Sequence, residues 1–140
     1  MNTLEDWLSY LESLHPRGQA GIELGLERIR QVKGGLDQTQ HCPVITVGGT
    51  NGKGSTCAYL ENIVARAGYR VGCYTSPHLF AYNERVRING QPASDAALCN
   101  AFSRVESARR QAGDIRLTYF EFGTLAAWEV FAAADVEAII

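Results

Sequence analysis

The sequence has 140 residues, of which 46% are hydrophobic and 20% are charged, and its formal net charge is −2. A chain of this length favours one globular domain that buries roughly 68–70% of the surface exposed by the unfolded chain. The slightly acidic balance argues against a protein that binds the phosphate backbone of nucleic acids. Apolar runs fall short of the ~20 residues that a membrane helix needs, and the N-terminus lacks the features of a secretory signal. Without an export signal the four cysteines are expected to stay reduced in the cytoplasm. The cysteines have no C-x-x-C spacing and the three histidines form no pair at helical spacing, which argues against a zinc site.

Two helices are predicted at the start of the chain. Thr3 is an N-cap residue with Asp6 three positions later, which forms a near capping box before an apolar face that ends at Leu14. The second helix ends at Gly34 and Gly35. Its predicted buried face is made of four residues: Ile22, Leu26, Ile29 and Val32.

A strand, a glycine-rich turn, a helix and a second strand follow, which together predict a βαβ unit. Residues 43–47 are short, apolar and β-branched, as in a buried strand of a parallel sheet. The helix begins near Lys53, and the second strand covers residues 69–74. The helix is expected to turn five residues inward: Tyr59, Leu60, Ile63, Val64 and Ala67.

The second half of the chain predicts a hairpin, two helices and a last strand. Asn89 and Gly90 follow a strand over residues 85–88, and Pro92 confines its partner to a sheet edge. Ser94 caps a helix, Thr118 and Glu121 form a capping box for another helix through about residue 134, and residues 136–140 read as a core strand. The buried face of the first of these helices is predicted to hold Leu98, Ala101, Phe102, Val105 and Ala108. Because the chain stops inside a predicted strand, we expect it to be part of a longer protein.

The glycine-rich segment over residues 48–56 carries the chemical information. Glycines let backbone N–H groups approach a polyphosphate, the following helix directs its free N–H groups at the anion, and Lys53 adds a positive charge for the phosphates. Ser55 or Thr56 offers a hydroxyl to Mg²⁺. The segment departs from the standard G-x-x-x-x-G-K-[ST] pattern at two positions. Val47 occupies the position of the first glycine, and Gly54 occupies the position of the serine or threonine after the lysine.

Two interpretations of this segment are open: a variant nucleotide loop, or a tight strand-to-helix turn that tolerates glycine. The placement between a buried strand and a helix favours nucleotide binding. The predicted fold is a three-layer α/β/α sandwich with a mainly parallel sheet and a P-loop-type nucleotide site at the carboxyl ends of its strands. The residues predicted to bind the nucleotide are Gly49, Thr50, Asn51, Gly52, Lys53, Gly54 and Ser55.

Five segments together carry a resemblance to a known family: IELGLERI from Ile22, GTNGKGST from Gly49, YTSPHL from Tyr74, ERVRING from Glu84 and LTYFEFGTLAAW from Leu117. In this order they resemble the folylpolyglutamate synthase/dihydrofolate synthase family of the Mur ligase superfamily. The resemblance implies that residues 1–140 form the N-terminal ATP-binding domain, without the C-terminal glutamate-ligase domain. It implies ATP as co-substrate, Mg²⁺ as cofactor, and ligation of L-glutamate to dihydropteroate or a reduced folate through an acyl phosphate.

The resemblance also assigns residues that spacing alone does not. It makes Ser76 a magnesium ligand, although a turn serine before proline is common. It assigns a pteridine or pteroate site to two segments, whose residues are Gly21, Ile22, Glu23, Leu24, Thr118, Tyr119, Phe120 and Glu121. Six of them have a structural alternative: Thr118 and Glu121 as a capping box, and Ile22, Leu24, Tyr119 and Phe120 as core residues. The resemblance also makes Lys53 the catalytic cation, which neutralises charge as the substrate carboxylate attacks the γ-phosphate. Arg85 and Arg87 either attract the anionic substrate tail or are solvated charges at a strand edge.

Other activities remain open from the sequence. A small-molecule kinase would use the same loop without an amine acceptor, and a non-catalytic nucleotide-binding fragment would bind without turnover. A cell-wall amino-acid ligase of the same superfamily is disfavoured by the TYFE and SPH segments. Because further magnesium ligands of the family lie beyond Ile140, we expect this chain to bind nucleotide without complete turnover.

Overall fold

The structure is a computed structural model that describes residues 1–17, 23–36 and 41–140. The chain divides into two compact units, which are considered separately. The helical unit comprises Met1–Gln38 and Asp95–Glu129, and the sheet unit comprises Thr39–Ser94 and Val130–Ile140. The helices are α1 Leu4–Leu14, α2 Glu27–Lys33, α3 Lys53–Arg66, α4 Asp95–Gln111 and α5 Tyr119–Ala133, and the strands are β1 Val71–Tyr74, β2 Val86–Ile88, β3 Gln91–Pro92 and β4 Ala138–Ile139.

The helical unit confirms the predicted start of α1. Thr3 Oγ1 accepts a hydrogen bond from the Asp6 N–H at 3.1 Å, and the Asp6 carboxylate accepts one from the Thr3 N–H at 3.1 Å. Two free backbone donors are satisfied in this way, which fixes where the helix begins. The buried face of α1 packs Trp7 against Phe102, whose ring centroids are 5.9 Å apart.

Helix α2 is shorter than its pattern predicts, because it begins only at Glu27. Val32 is fully buried as expected, whereas Leu26 is 56% exposed, so its assignment to the buried face is wrong. Leu26 is the N-cap residue with φ −113° and ψ 0°, outside the regular helical phase that would turn its side chain inward. Ile22 lies outside the described residues.

Helices α4 and α5 confirm their predicted faces. The five residues assigned to the buried face of α4 are all buried. At the start of α5, the Glu121 N–H donates to Thr118 Oγ1 at 3.1 Å and the Thr118 N–H donates to the Glu121 carboxylate at 2.9 Å. The capping box is therefore real, and α5 is buried on several sides, as an all-round apolar helix requires.

The sheet has the order β3-β2-β1-β4 and is mixed. Strand β1 is parallel to β4 but antiparallel to β2, and β2 is antiparallel to β3. The expectation of a mainly parallel sheet is therefore wrong for the described strands. The connection from β1 to β2 contains a short 3₁₀ turn over Tyr82–Arg85 instead of a crossover helix, so the chain reverses direction and pairs antiparallel.

Residues 43–47 do not form the predicted buried strand. Val44 makes an isolated parallel bridge to Ile139, and Val44 and Ile45 are 52% and 37% exposed. Backbone pairing is present, since Ile45 N donates to Ile139 O at 2.8 Å and Ile139 N donates to Pro43 O at 2.9 Å. The β-branched residues favour extended backbone, but burial also requires an element that covers their side chains.

The hairpin prediction is confirmed in detail. Asn89 and Gly90 have φ of 50° and 79°, the positive values that a tight two-residue turn between right-twisted strands requires. Pro92 lies in β3, at the edge of the sheet, where the absence of an N–H costs no ladder hydrogen bond.

Helix α3 packs on β1 with a narrower apolar face than predicted. Cys57 is buried, and Leu60 and Val64 pack against the same cluster as Val71. Tyr59 and Ile63 are 73% and 63% exposed, and Ala67 is also exposed, so their inward assignment is wrong. The inward position between Leu60 and Val64 belongs to Glu61, which is 4% exposed.

No helix among the described residues is long and apolar enough to cross a membrane.

Candidate nucleotide-binding site

The glycine-rich loop opens directly into α3. Gly49 has φ 147° and Gly52 has φ 76°, and Gly52 is the N-cap residue of the helix. An L-residue rarely adopts such angles, so glycine is required for the chain to turn here. Gly52 has no side chain that could cap the helix, and the first N–H groups of α3 are therefore available to an anion.

The space in front of the loop is open. A Cβ built on Gly48, Gly52 or Gly54 would meet no atom of a more distant residue within 4 Å. Every residue from 48 to 56 is exposed to solvent. A phosphate group can therefore approach the backbone N–H groups without displacing protein atoms. The loop is exposed to solvent, and nucleotide binding by it stays a prediction.

Lys53 and the two hydroxyls have different surroundings. Lys53 Nζ donates to Gly49 O at 2.6 Å, so its ammonium group lies back over the loop. Thr56 Oγ1 donates to Gly52 O at 2.9 Å and is engaged in the helix, whereas Ser55 is exposed. Of the two candidate hydroxyls, Ser55 is therefore better placed to bind a cation.

Ser76 and the loop both lie at the carboxyl ends of the parallel strands. Residues 43–47 and β1 both run parallel to β4, so their carboxyl ends point in one direction. The loop follows the first of these segments, and Ser76 follows β1. Ser76 is exposed and precedes a cis peptide bond to Pro77. In α/β sheets these carboxyl ends are where ligands bind.

The turn after Ser76 is held by a carboxylate. Glu84 accepts hydrogen bonds from the backbone N–H groups of Leu79, Phe80 and Ala81 at 2.8, 2.8 and 2.7 Å. These three donors lower the pKa of Glu84 below its ordinary value of 4.5. The carboxylate thereby fixes the backbone that carries the exposed side chains of residues 79 and 80.

The arginines that follow this turn are both engaged. Arg85 Nε donates to His78 Nδ1 at 2.8 Å. Arg87 donates from Nη2 to a Glu61 carboxylate oxygen at 2.9 Å and also reaches it from Nε. Neither side chain is a simple solvated charge. The pairing with Glu61 was missed because a buried acidic residue on an apolar helix face gives no recognisable sequence pattern.

The predicted pteroate residues lie in the helical unit. Leu24 and Phe120 are 92% and 53% exposed, whereas Thr118 and Tyr119 are each 4% exposed. Thr118 caps α5, and Tyr119 belongs to the core. Gly21 and Ile22 lie outside the described residues.

Arg28 joins the two segments that are predicted to form the pteroate site, a role that the sequence did not reveal. Arg28 Nη1 lies 2.9 Å from a Glu23 carboxylate oxygen, and Arg28 Nη2 lies 2.9 Å from Glu121 Oε1. Glu23 also contacts His15 Nε2 at 3.1 Å. The hydrogen bond from His15, followed by the charge of Arg28, lowers the pKa of Glu23, so this carboxylate is ionised at neutral pH.

Among the described residues, no group of three or more His, Cys, Asp or Glu side chains could hold a metal ion. The candidate metal ligands are instead two hydroxyls, that of Ser55 in the loop and that of Ser76 after β1. Hydroxyl oxygens are hard ligands, and together with phosphate oxygens and water they suit Mg²⁺. The donor set therefore fits magnesium bound together with a nucleotide.

No family model matches the chain. Among curated proteins, it is 51% identical over 138 residues to the dihydrofolate synthase/folylpolyglutamate synthase of Escherichia coli, with 98% of this chain and 31% of that protein covered. The corresponding protein of Haemophilus influenzae is 48% identical, with 98% and 30% covered. The human mitochondrial folylpolyglutamate synthase is 35% identical, with 98% and 24% covered.

Two solved structures also resemble this chain. E. coli FolC in complex with DHPP and ADP superposes with a TM-score of 0.89 at 49% identity, covering 99% of this chain and 32% of that one. The bifunctional enzyme of Yersinia pestis, complexed with AMPPNP and Mn ion, has a TM-score of 0.88 at 50% identity, with 100% and 33% covered. The chain thus spans between about a quarter and a third of the length of these proteins.

Proposed function

This chain is homologous over nearly its whole length to dihydrofolate synthase/folylpolyglutamate synthase, and on that premise we propose that it contributes to the ATP-dependent ligation of L-glutamate to dihydropteroate or a reduced folate. In this proposal the sheet unit supplies the phosphate-binding loop of a P-loop-type site, within a three-layer α/β/α ATP-binding domain that residues 1–140 represent. The helical unit supplies part of the pteroate site. The protein acts in the cytoplasm, where its four free cysteines stay reduced.

The observation that carries the proposal is the open cradle in front of α3. Gly52 turns the chain at φ 76°, the helix presents uncapped N–H groups, and nothing lies within 4 Å of the space that a Cβ would occupy. Lys53 Nζ lies over the same loop. These backbone donors and this positive charge support the proposal, because binding of a polyphosphate requires several hydrogen-bond donors and a cation close together.

The proposed reaction begins when the substrate carboxylate attacks the γ-phosphorus of ATP. A carboxylate O–P bond forms, the bond from the γ-phosphorus to the bridging oxygen breaks, and ADP leaves. The amine of glutamate then attacks the acyl carbon, loses a proton and displaces inorganic phosphate. Both reactants of the first step are anions, so Lys53 and the N–H groups of residues 53–55 lower the barrier by neutralising the charge on the phosphates.

Ser55 and Ser76 are the residues of this chain that would hold Mg²⁺. When bound, the ion neutralises phosphate charge and orients the γ-phosphate. Gly49, Thr50, Asn51 and Gly54 complete the proposed ATP-binding loop: Thr50 and Asn51 contact the phosphates, and the two glycines shape the backbone around them.

In the proposed pteroate site, two exposed apolar side chains face a ring system. Leu24 and Phe120 are 92% and 53% exposed, and an aromatic side chain suits stacking on a flat heteroaromatic ring. Glu23 and Glu121 are oriented by Arg28 and can accept hydrogen bonds from ring N–H groups. Gly21, Ile22, Thr118 and Tyr119 complete the set as residues that shape the site.

Isothermal titration of the 140-residue chain with Mg-ATP tests the phosphate loop. We expect binding, and we expect Lys53→Ala to weaken it roughly tenfold or more, because a charge-assisted hydrogen bond contributes about 1.5–3 kcal/mol. Lys33→Ala is the matched control: it removes the same charge from the helical unit, where Lys33 lies 4.5 Å from the Trp128 ring centroid, and should leave the affinity unchanged. Absence of heat with the wild-type chain would refute the proposal.

A second titration separates a ligase from a small-molecule kinase or a nucleotide-binding fragment. We expect dihydropteroate to bind the chain in the presence of Mg-ATP, and Phe120→Ala to weaken that binding with no change in ATP affinity. Tyr59→Ala removes an aromatic ring that is 73% exposed in the sheet unit and serves as the control. If Phe120→Ala and Tyr59→Ala behave alike toward dihydropteroate, the assignment of the pteroate site is wrong.

A further inference from the structure

An ion pair lies beneath α3 in the sheet unit. Glu61 is 4% exposed and projects from the inward face of α3, beside the apolar cluster that contains Cys57 and Val71. Arg87 on β2 donates to it from Nη2 at 2.9 Å and from Nε at 3.2 Å. The hydrogen bond to Glu61 raises the pKa of Arg87, so the guanidinium is charged at every accessible pH. The pair satisfies a buried carboxylate that would otherwise be costly.

The same guanidinium reaches the segment that carries Ser76. Arg87 Nη1 donates to Thr75 Oγ1 at 3.2 Å and to the backbone carbonyl of Glu84 at 3.1 Å. Thr75 is the residue before Ser76, and Glu84 holds the turn that follows it through three backbone hydrogen bonds. Arg87 therefore contacts the helix behind the phosphate loop and both ends of the Ser76 segment.

We propose that Arg87 is a positioning residue of the Mg-ATP site, which sets the distance and angle between the phosphate-binding end of α3 and the hydroxyl of Ser76. This inference rests on the proposed function. Arg87 itself touches neither nucleotide nor metal. Its planar fork binds Glu61 with one edge and the Ser76 segment with another, so a shift of either element relative to the other breaks a hydrogen bond.

Apolar packing alone would not fix the position of α3 relative to the segment that carries Ser76. The cluster of Cys57, Leu60 and Val64 on β1 holds α3 against the sheet, but hydrophobic contact is non-directional and permits small rotations and translations of the helix. Hydrogen bonds of a planar guanidinium are directional. A buried ion pair of this kind adds little net stability, and its effect is to select one arrangement among several of similar energy.

This distinction defines the test. In the double variant Glu61→Met/Arg87→Met both charges are replaced by unbranched apolar side chains, a change that is often neutral or stabilising for a buried pair. We expect the variant to keep its melting temperature and to bind Mg-ATP about tenfold more weakly, because a displacement of 1 Å at a site suffices for such losses. We also expect the gain in ATP affinity that Mg²⁺ confers to shrink, since Ser76 is no longer held in place.

Two single variants make the test independent of the double variant. Thr75→Val removes the hydroxyl acceptor next to Ser76 but keeps the Glu61 pair, and we expect it to weaken Mg-ATP binding about threefold with little effect on binding of ATP without Mg²⁺. Val86→Ala is the control for stability alone: Val86 is fully buried next to Arg87 and its truncation destabilises the sheet without touching the network. It should lower the melting temperature and leave the affinity unchanged.

The outcomes separate the inference from the proposed function. If the wild-type chain does not bind Mg-ATP, both are wrong. If it binds and the double variant binds as tightly, Arg87 does not position the site. The same conclusion follows if Val86→Ala weakens binding as much as the double variant, because the effect then reflects stability. Should the double variant fail to fold, an unchanged Mg²⁺ dependence in Thr75→Val overturns the inference by itself.

Discussion

Two glycines of the phosphate loop should respond to the same substitution in opposite directions. Gly52 is the N-cap of α3 with φ 76°, and Gly54 lies in the first turn of the helix. A Cβ at either position would meet no atom within 4 Å. Since neither alanine would cause a clash, the difference between Gly52→Ala and Gly54→Ala isolates the backbone conformation.

The expected free-energy changes follow from the two conformations. Alanine at Gly52 must adopt left-handed backbone angles, which costs about 1–2 kcal/mol of unfolding free energy. Alanine at Gly54 reduces the entropy of the unfolded chain and favours the helix, which stabilises by up to about 1 kcal/mol. The two variants should therefore differ by about 1–3 kcal/mol. Gly52→Asn should lie closer to wild type than Gly52→Ala, because asparagine tolerates the left-handed region.

Urea unfolding followed by circular dichroism measures these differences, with all variants compared at the same slope against denaturant. Titration with Mg-ATP in parallel should show weaker binding for Gly52→Ala, because the strained loop relaxes away from the conformation that directs its N–H groups at the phosphates. If Gly52→Ala is as stable as wild type, or if both alanine variants shift the urea midpoint in the same direction, the loop does not have the turn described here.

Three further predictions concern the scaffold around the sites. Gly72→Ala should destabilise by about 1–3 kcal/mol in urea unfolding, because the new Cβ would lie 2.6 Å from Cδ1 of the buried Phe131 ring. Thr118→Ala should lower the unfolding free energy by about 1 kcal/mol through loss of the N-cap bond of α5. Glu84→Gln should be less stable than wild type at every pH above the ordinary pKa of 4.5. The difference should disappear as the pH falls through the lowered pKa of Glu84 in the folded protein, and urea midpoints at several pH values measure it.

Each of these three predictions has its own control. Gly48→Ala places the same methyl group in open space and should change the midpoint little, and adding Phe131→Leu to Gly72→Ala should recover part of the loss. Thr124→Ala changes the same residue type inside α5, so a loss equal to that of Thr118→Ala would argue against a capping effect. An equal loss in Glu84→Gln from neutral to acidic pH would show that the carboxylate charge does not hold the turn.

Features encoded by neighbouring residues were predictable from the sequence. The capping boxes at Thr3 and Thr118, the Asn89-Gly90 turn and the glycine-rich entry to α3 all have the predicted form. Each depends on hydrogen bonds or backbone angles within about four residues, so residue type and spacing suffice to specify it. The resemblance to the ligase family depends on the same short segments.

Features that join distant residues were decided by the tertiary structure. Arg87 pairs with Glu61, 26 positions earlier, and Arg28 joins Glu23 to Glu121, 93 positions beyond the arginine. No periodicity links such residues, and their charges look like ordinary surface charges in the sequence. The exposure of Val44 and the antiparallel pairing of β1 with β2 likewise depend on which element packs alongside. Local preferences set the conformation of the glycine-rich loop, whereas long-range packing determines which charged groups meet, as Arg87 meets Glu61 and the segment around Ser76.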